Sequence, residues 1–228
     1  MARASRDVPP VGDSALALRT ASLQPGMSRT LGDPDDDLLV YVAAGAGLLS
    51  VGGNSEPVQA RSAGLVLAGE DALVQATDPL EVVLMTVGAG VDHHAPIGQR
   101  ALTASLDDAE AQQASGARSF QILFDASNGS TRATLFAGFV PPGRAPWHYH
   151  LYDEIVWVPD GPGRVHVGEA VEELGPGSAF RLRPREVHIV ENTSADRELT
   201  IIGLFTPAGS PSAAYLTPEV AAEYRFAR

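Results

Sequence analysis

The stretch from Pro146 to Gly163, PWHYHLYDEIVWVPDGPG, sets two histidines one residue apart and follows them with Asp153 and Glu154. Strand side chains return to the same face every second residue, so His148 and His150 face one way at nearly the spacing one metal ion can bridge. Glu154 keeps that parity unless a turn at LYD resets it. A third imidazole, His188 in RPREVHIVEN, follows Gly177 by eleven residues, where closure of a barrel would bring it across the interior. Three imidazoles and one carboxylate would then converge on one point. Such a set leaves one or two positions open on a five- or six-coordinate ion, as a catalytic site does.

The rest of the 228-residue chain narrows the chemistry. It has no Cys, and all sixteen of its basic residues are Arg, so thiolate nucleophiles, disulfides and lysine Schiff bases are excluded. A metal must be held by His, carboxylate, backbone or water, which suits one divalent transition ion: iron, manganese, nickel, copper or zinc. A net charge of −12 argues against nucleic acid and anionic membrane surfaces as partners. No apolar run approaches the roughly 20 residues of a membrane-spanning helix, and the opening MARASRDVPPVGD lacks a secretory hydrophobic segment, so a cytoplasmic protein is expected.

An internal duplication organises the chain. The segment from Asp36 runs in register with that from Asp153: Gly45, Gly47, Val51 and Gly52 fall opposite Gly161, Gly163, Val167 and Gly168. After a three-residue gap Gly64 falls opposite Gly177, and LEVVLMTVG falls opposite ELTIIGLF. Each copy alternates short aliphatic and β-branched runs with Gly- or Pro-marked turns, the pattern of a sandwich or small barrel, with the GxG pairs placed at hairpins needing positive φ. The expected division is a first barrel over 1–100, a connector over 101–118 and a second barrel over 119–228. Ser105 is expected to cap a short helix from Leu106 to about Ser115, and Thr217 and Pro218 to start another at the C-terminus.

With these residues in hand, the second half resembles a cupin. The family motif G-x5-H-x-H-x3-4-E-x6-G is met by Gly143, His148, His150, Glu154 and Gly161, with the first spacing one residue short. Its second motif, G-x5-P-x-G-x2-H-x3-N, is met by Gly177, His188 and Asn192, with Pro184 one place late and Arg185 where a glycine belongs. The resemblance implies an all-β protein of two double-stranded β-helix (jelly-roll) barrels, with His148, His150, Glu154 and His188 as metal ligands. In the first copy the same register puts Gly32, Pro34, Leu38 and Gln75 at the ligand positions, which implies a bicupin with a metal site only in its C-terminal barrel.

Around the ligands, Trp147 and Trp157 are candidate walls of a substrate pocket, with core packing an equal alternative. Tyr152 shares the ligands' parity and is a candidate donor to bound oxygen. Arg181 and Arg183 either pair with Glu172 and Glu173 on the surface or face the interior, where they would clamp a carboxylate. His166 and Glu191, with Tyr152, are the general acid–base candidates; His93 and His94 read as loop residues. The leading expectation is dioxygenase-type oxidation of a small oxygen-bearing substrate. Isomerase, epimerase or lyase chemistry on a sugar or hydroxy acid, and a non-catalytic binder, are the alternatives. Exposed sheet edges add a homodimer to the expectations.

Overall fold

The computed structural model describes residues 11–114 and 117–218, and its elements are all strands. They form four sheets. Sheet I carries, side by side, Val11–Gly12, Leu16–Leu23, Leu80–Val87, Asp37–Ala44, Ser62–Val66 and Thr103–Ser105. Sheet II carries Ser28–Leu31, Ala72–Ala76, Ala46–Val51 and Asn54–Gln59. In the second half, sheet III orders Gln112–Gln113, Ser119–Phe124, Thr134–Val140, Leu199–Thr206, Asp153–Trp157 and Ala179–Leu182. Sheet IV orders Ala170–Leu174, Gly163–Val167, His188–Asn192, His148–His150 and Ala214–Leu216, with Gly143–Arg144 also paired to His188–Asn192.

Sheets I and III are covered on both faces, which explains why their strands are nearly continuous apolar runs. In Asp37–Ala44, Leu38, Val40 and Val42 pack toward sheet II, while Leu39 and Tyr41 join a core shared with the second half. Sheet III mirrors this: Leu135, Ala137, Ile155, Trp157, Ile202 and Leu204 enter the shared core, and Val140, Val156 and Ile201 pack inward toward sheet IV.

The ladders revise the internal register. Leu38 pairs with Val66 as Glu154 pairs with Leu182, and Gly47 pairs with Ala76 as Gly163 pairs with Asn192. The copies therefore run ungapped from Asp37 through Ala76, and the extra residues of the second copy lie later, in the loop 193–198 against 77–79. Backbone conformation agrees: Arg61 (φ 73°) matches Gly177 (81°), and Gly69 (78°) matches Arg185 (68°). Gly64 is thus not the counterpart of Gly177, and Ala72, not Gln75, stands opposite His188. Of the GxG glycines only Gly45 has positive φ; a side chain on Gly163 would meet Glu191 O at 2.9 Å, so close backbone approach explains that residue.

Over the described residues 106–114 the expected connector helix is absent. Ser105 Oγ does accept the Asp107 N–H, but the chain makes a single turn, buries Leu106 in the shared core and re-enters sheet III at Gln112. Thr103–Ser105 extends sheet I and Gln112–Gln113 extends sheet III, so strand pairing takes the backbone groups a helix would have used. The expected C-terminal helix beyond Pro218 lies outside the described residues.

Candidate metal centre

His148 and His150 alternate inward from sheet IV, while Tyr149 between them turns out and stacks on Tyr215 at 5.4 Å. His148 lies directly opposite His188 on the adjacent strand, and their rings are 4.4 Å apart; His150 and His188 are 4.8 Å apart. The turn at Leu151 and Tyr152 carries the chain to sheet III, so Glu154 faces these rings from across the interior. Arg185 adopts the left-handed conformation that the motif glycine would supply, and its N–H donates to His150 O at 2.8 Å. The turn before His188 is thereby kept despite the altered sequence.

Each imidazole is held the same way. Nδ1 of His148, His150 and His188 lies 2.8 Å from the carbonyl oxygens of Pro146, Tyr152 and Glu186 respectively. Nδ1–H is therefore the donor, and Nε2 is left as a lone pair, the tautomer that binds metals. His150 Nε2 is buried without a hydrogen-bond partner, 2.9 Å from Glu154 Oε2, an approach that lacks hydrogen-bond geometry. A lone pair facing a carboxylate in a dry interior calls for a cation or a shared proton between them. Burial, reinforced by the neighbouring His188, pushes His148 down to about 3; burial likewise pushes His188 down to about 4. Both are neutral, ligand-ready imidazoles at pH 7.

Among the described residues, the side chains as they stand do not form a preassembled metal-holding group of three or more. The donor chemistry nevertheless fits a divalent ion: three imidazole Nε2 atoms and one carboxylate, all buried, in one cavity.

That cavity, about 70 Å³, lies between sheets III and IV with these four residues in its wall. Tyr152 lines it, stacked between His150 and Phe205 at 4.0 Å from each; its hydroxyl donates to Pro211 O at 3.4 Å, and burial pushes the phenol above its ordinary pKa. Asn192 acts on the backbone, donating to Val140 O and Arg197 O. Sequence reasoning missed Arg118, the last residue of the expected connector, which lines the cavity from the entry of Ser119–Phe124. It also missed Gly203, where a Cβ would stand 2.8 Å from Glu154 Oε1; an isolated glycine inside a strand was the available signal.

The remaining candidates lie elsewhere. Trp147 packs edge-on against His166 and does not line the cavity. Trp157 points into the shared core beside Tyr41, because its parity is opposite to that of Glu154. Arg181 is inside neither the cavity nor a pair with Glu172 or Glu173. It is clamped by Asp153 (2.6 Å) and Asp13 (2.8 Å) and donates to Leu16 O, joining the two halves. Arg183 is 51% exposed and meets the same two carboxylates. Both arginines alternate to the outer side of sheet III, so neither clamps a substrate in this cavity. His166 bonds Glu191 at 2.7 Å away from the cavity lining, and His94 bonds Ala208 O.

Comparison with known proteins agrees with this architecture. Residues 136–205 match the cupin domain family. Among solved structures, the fold resembles oxalate decarboxylase of Lactobacillus farciminis in its formate complex, with a TM-score of 0.75 at 14% identity over 93% of this chain and 82% of that one. A serine-to-alanine mutant of Bacillus subtilis oxalate decarboxylase gives 0.73 at 16% identity over 89% and 71%. A cupin 2 conserved barrel domain protein from Leptotrichia buccalis gives 0.62 at 14% over 91% and 92%. No curated protein matches the chain by sequence. The fold is that of the cupin superfamily.

Proposed function

We propose that this protein is a metal-dependent cupin enzyme. One divalent ion would be held by His148, His150, Glu154 and His188 in the C-terminal of two barrels, where a small oxygen-bearing organic substrate is oxidised by dioxygen. The observation that carries the reading is the shared tautomer: three buried imidazoles spend Nδ1–H on backbone carbonyls and leave Nε2 as a lone pair. A bound ion would supply Lewis-acid polarisation and orientation of substrate oxygens and, if redox-active, electron transfer to dioxygen.

The chain's own residues do the rest. The backbone carbonyls hold the ligand rings in place before any ion binds, and Phe136, Val156 and Ile201 make the neighbouring wall of the cavity apolar. Tyr152 fixes the His150 plane by stacking and keeps its phenolic proton. It therefore makes a poor general base, and His166 and Glu191 are occupied with each other outside the cavity lining. This weighs against isomerase and epimerase readings, which need a base at the substrate.

Non-oxidative lyase chemistry is the second reading, favoured by the same lack of a base and by a fold shared with oxalate decarboxylases, of which the B. subtilis enzyme is described with Mn(II) centres. The first half would carry no ion, because the positions paired like His148 and His188 are Leu31 and Ala72, and Leu38 replaces Glu154. A homodimer and a cytoplasmic setting belong to the same reading.

Elemental analysis of the purified protein, then oxygen uptake and carbon dioxide release with 2-oxo acids, diketones and phenolic acids, test it. Stoichiometric metal that disappears in His148→Ala and Glu154→Gln is expected; metal retained in His148→Ala would refute the ligand set. Turnover unchanged without oxygen would remove the oxidative branch and leave the lyase.

A further inference from the structure

The two halves hold their equivalent strands in different ways. In the first half Ser28–Leu31 pairs with Ala72–Ala76 along its whole length, from Ser28 opposite Gln75 to Leu31 opposite Ala72, and it ends sheet II. In the second half the equivalent segment is broken. Gly143–Arg144 pairs with Asn192 and Glu191, and past Pro146, which has no N–H to give a ladder, pairing to the same neighbour resumes at His148 alone, opposite His188. The strand that carries two of the candidate ligands is therefore tied on that side at one position.

Its other edge is where it is held. Ala214–Leu216 pairs with it residue for residue: His148 opposite Leu216, Tyr149 opposite Tyr215 and His150 opposite Ala214. The Thr217 N–H extends the contact by donating to Trp147 O at 3.4 Å. Ala214 shares the histidines' face and lines the cavity, whereas Tyr215 shares the opposite face, where its ring stacks on Tyr149 at 5.4 Å with 16° between the planes. Among the described residues, sheet II has no such strand beside Ser28–Leu31; the chain that follows the last long strand of the first half joins sheet I instead, as Thr103–Ser105. The extra strand thus goes with the histidine cluster and not with the fold.

We infer that Ala214–Leu216 is a clamp on the ligand strand, and that Tyr215, acting through Tyr149, is a positioning residue of the metal centre. Three imidazoles bind one ion only while their Nε2 atoms converge, and a strand tied at one position is free to turn about it. Tyr149 stands between the two ligands, so a ring held against it fixes the twist of both. Without that ring the nitrogens converge for only part of the time, and apparent affinity falls in proportion. This inference rests on the metal-centre reading above and adds to it the residues that shape the site.

The test is cobalt(II) binding by the full-length protein, read by competition with a chelator of known affinity and by the visible absorption of the bound ion, which reports its coordination geometry. Tyr215→Ala should weaken binding about fivefold or more and change the spectrum at saturation. Tyr215→Phe, which keeps the ring, should match the wild type in both. Tyr215 is 47% exposed at the end of its sheet, so the melting temperature of metal-free Tyr215→Ala should stay within about 3 °C of the wild type. In a Tyr149→Ala background, Tyr215→Ala should cost less than about twofold, because its route to the ligands is already gone.

A wild-type protein that binds no cobalt sinks the metal-centre reading itself. If the wild type binds cobalt, a Tyr215→Ala affinity within about twofold of it, or an unchanged spectrum, overturns the clamp alone. So does a loss that Tyr215→Phe shares, or one that recurs in full in the Tyr149→Ala background. A larger fall than about 3 °C in the metal-free melting temperature marks a purely structural role and overturns it too. The comparison of wild type with Tyr215→Ala leaves the ligand strand unaltered, so it decides the matter even if Tyr149→Ala fails to fold.

Discussion

Acidifying the metal-free protein from pH 7 to pH 5 should destabilise its C-terminal half by about 4 kcal/mol, through two histidines. A solvated imidazole titrates near 6.5, whereas His148 is held at about 3 and His188 at about 4 by burial. Between pH 6.5 and those values the unfolded chain binds protons that the native state refuses, so stability falls as pH falls. At pH 5 each residue forfeits roughly 2 kcal/mol, from 1.36 kcal/mol per pH unit over about 1.5 units, and very little of that is lost at pH 7. The carboxylates with lowered pKa, Asp13, Glu70 and Glu191, lose their contributions at lower pH and leave this window to the histidines. Both tryptophans, Trp147 and Trp157, are in the C-terminal half, so fluorescence-monitored urea unfolding of chelator-treated protein reports the relevant transition. The double variant His148→Gln/His188→Gln should flatten the slope. Unfolding free energies within about 1 kcal/mol of each other at pH 7 and pH 5, or an equal slope in the double variant, would refute the assignment of buried neutral imidazoles.

Three substitutions probe the supporting structure. Gly203→Ala would place a Cβ 2.3 Å from Phe136 Cε1 and 2.8 Å from Glu154 Oε1, so it should cost roughly 1–3 kcal/mol and lower metal occupancy; full occupancy with an unchanged melting temperature would contradict the close packing. Arg185→Gly removes an L-residue from φ 68° and should raise stability by about 1 kcal/mol, or ~2–4 °C in melting temperature; a lower melting temperature in calorimetry would count against it. Arg181→Met strands the Asp153 carboxylate that it pairs with at 2.6 Å and should cost about 3 kcal/mol. Arg183→Met, at a half-exposed site, should stay within about 0.5 kcal/mol in the same urea titration, and equal losses for the two would mean that Arg181 does not join the halves.

What could be read in the sequence followed from periodicity. Parity alone puts His148 and His150 on one face, and the alternation of short apolar runs with Gly-marked turns marks an all-β chain. Hydrophobicity fails for Trp157 and Arg181 because sheet III is covered on both sides: with each face buried, it no longer says which one meets the cavity, and only parity counted from Glu154 does. Gln75 falls opposite His188 in the sequence register only because a three-residue gap is opened in the second copy between Gly52 and Gly64, where the ladders run ungapped. The real length difference has the opposite sign, three more residues in the second copy, and lies in the loop before the last long strand; Gln75 itself proves exposed. Arg118 is hidden for another reason. A cation at the end of a polar, Ala-rich stretch looks like linker, and only the pairing of Gln112–Gln113 with Ser119–Phe124 turns it toward the interior.

The contrast between the halves explains why a half without ligands would persist. Where His148, Glu154 and His188 stand in one copy, Leu31, Leu38 and Ala72 stand in the other, all buried in its own apolar core. Replacing buried polar groups by well-packed apolar ones is often neutral or stabilising, so loss of a site need not weaken a barrel. The half that carries the histidine cluster gains from that exchange. Its sheet III carries Glu154 on the inner face, and its outer face is covered by Leu39, Tyr41, Val83 and Met85 of the first half. The Asp13–Arg181–Asp153 clamp pins the same strand one residue from Glu154. A sheet exposed on that side would leave Ile155, Ile202 and Leu204 to water and the strand free to shift. The ligand-poor half thus acts as the wall against which the carboxylate is held.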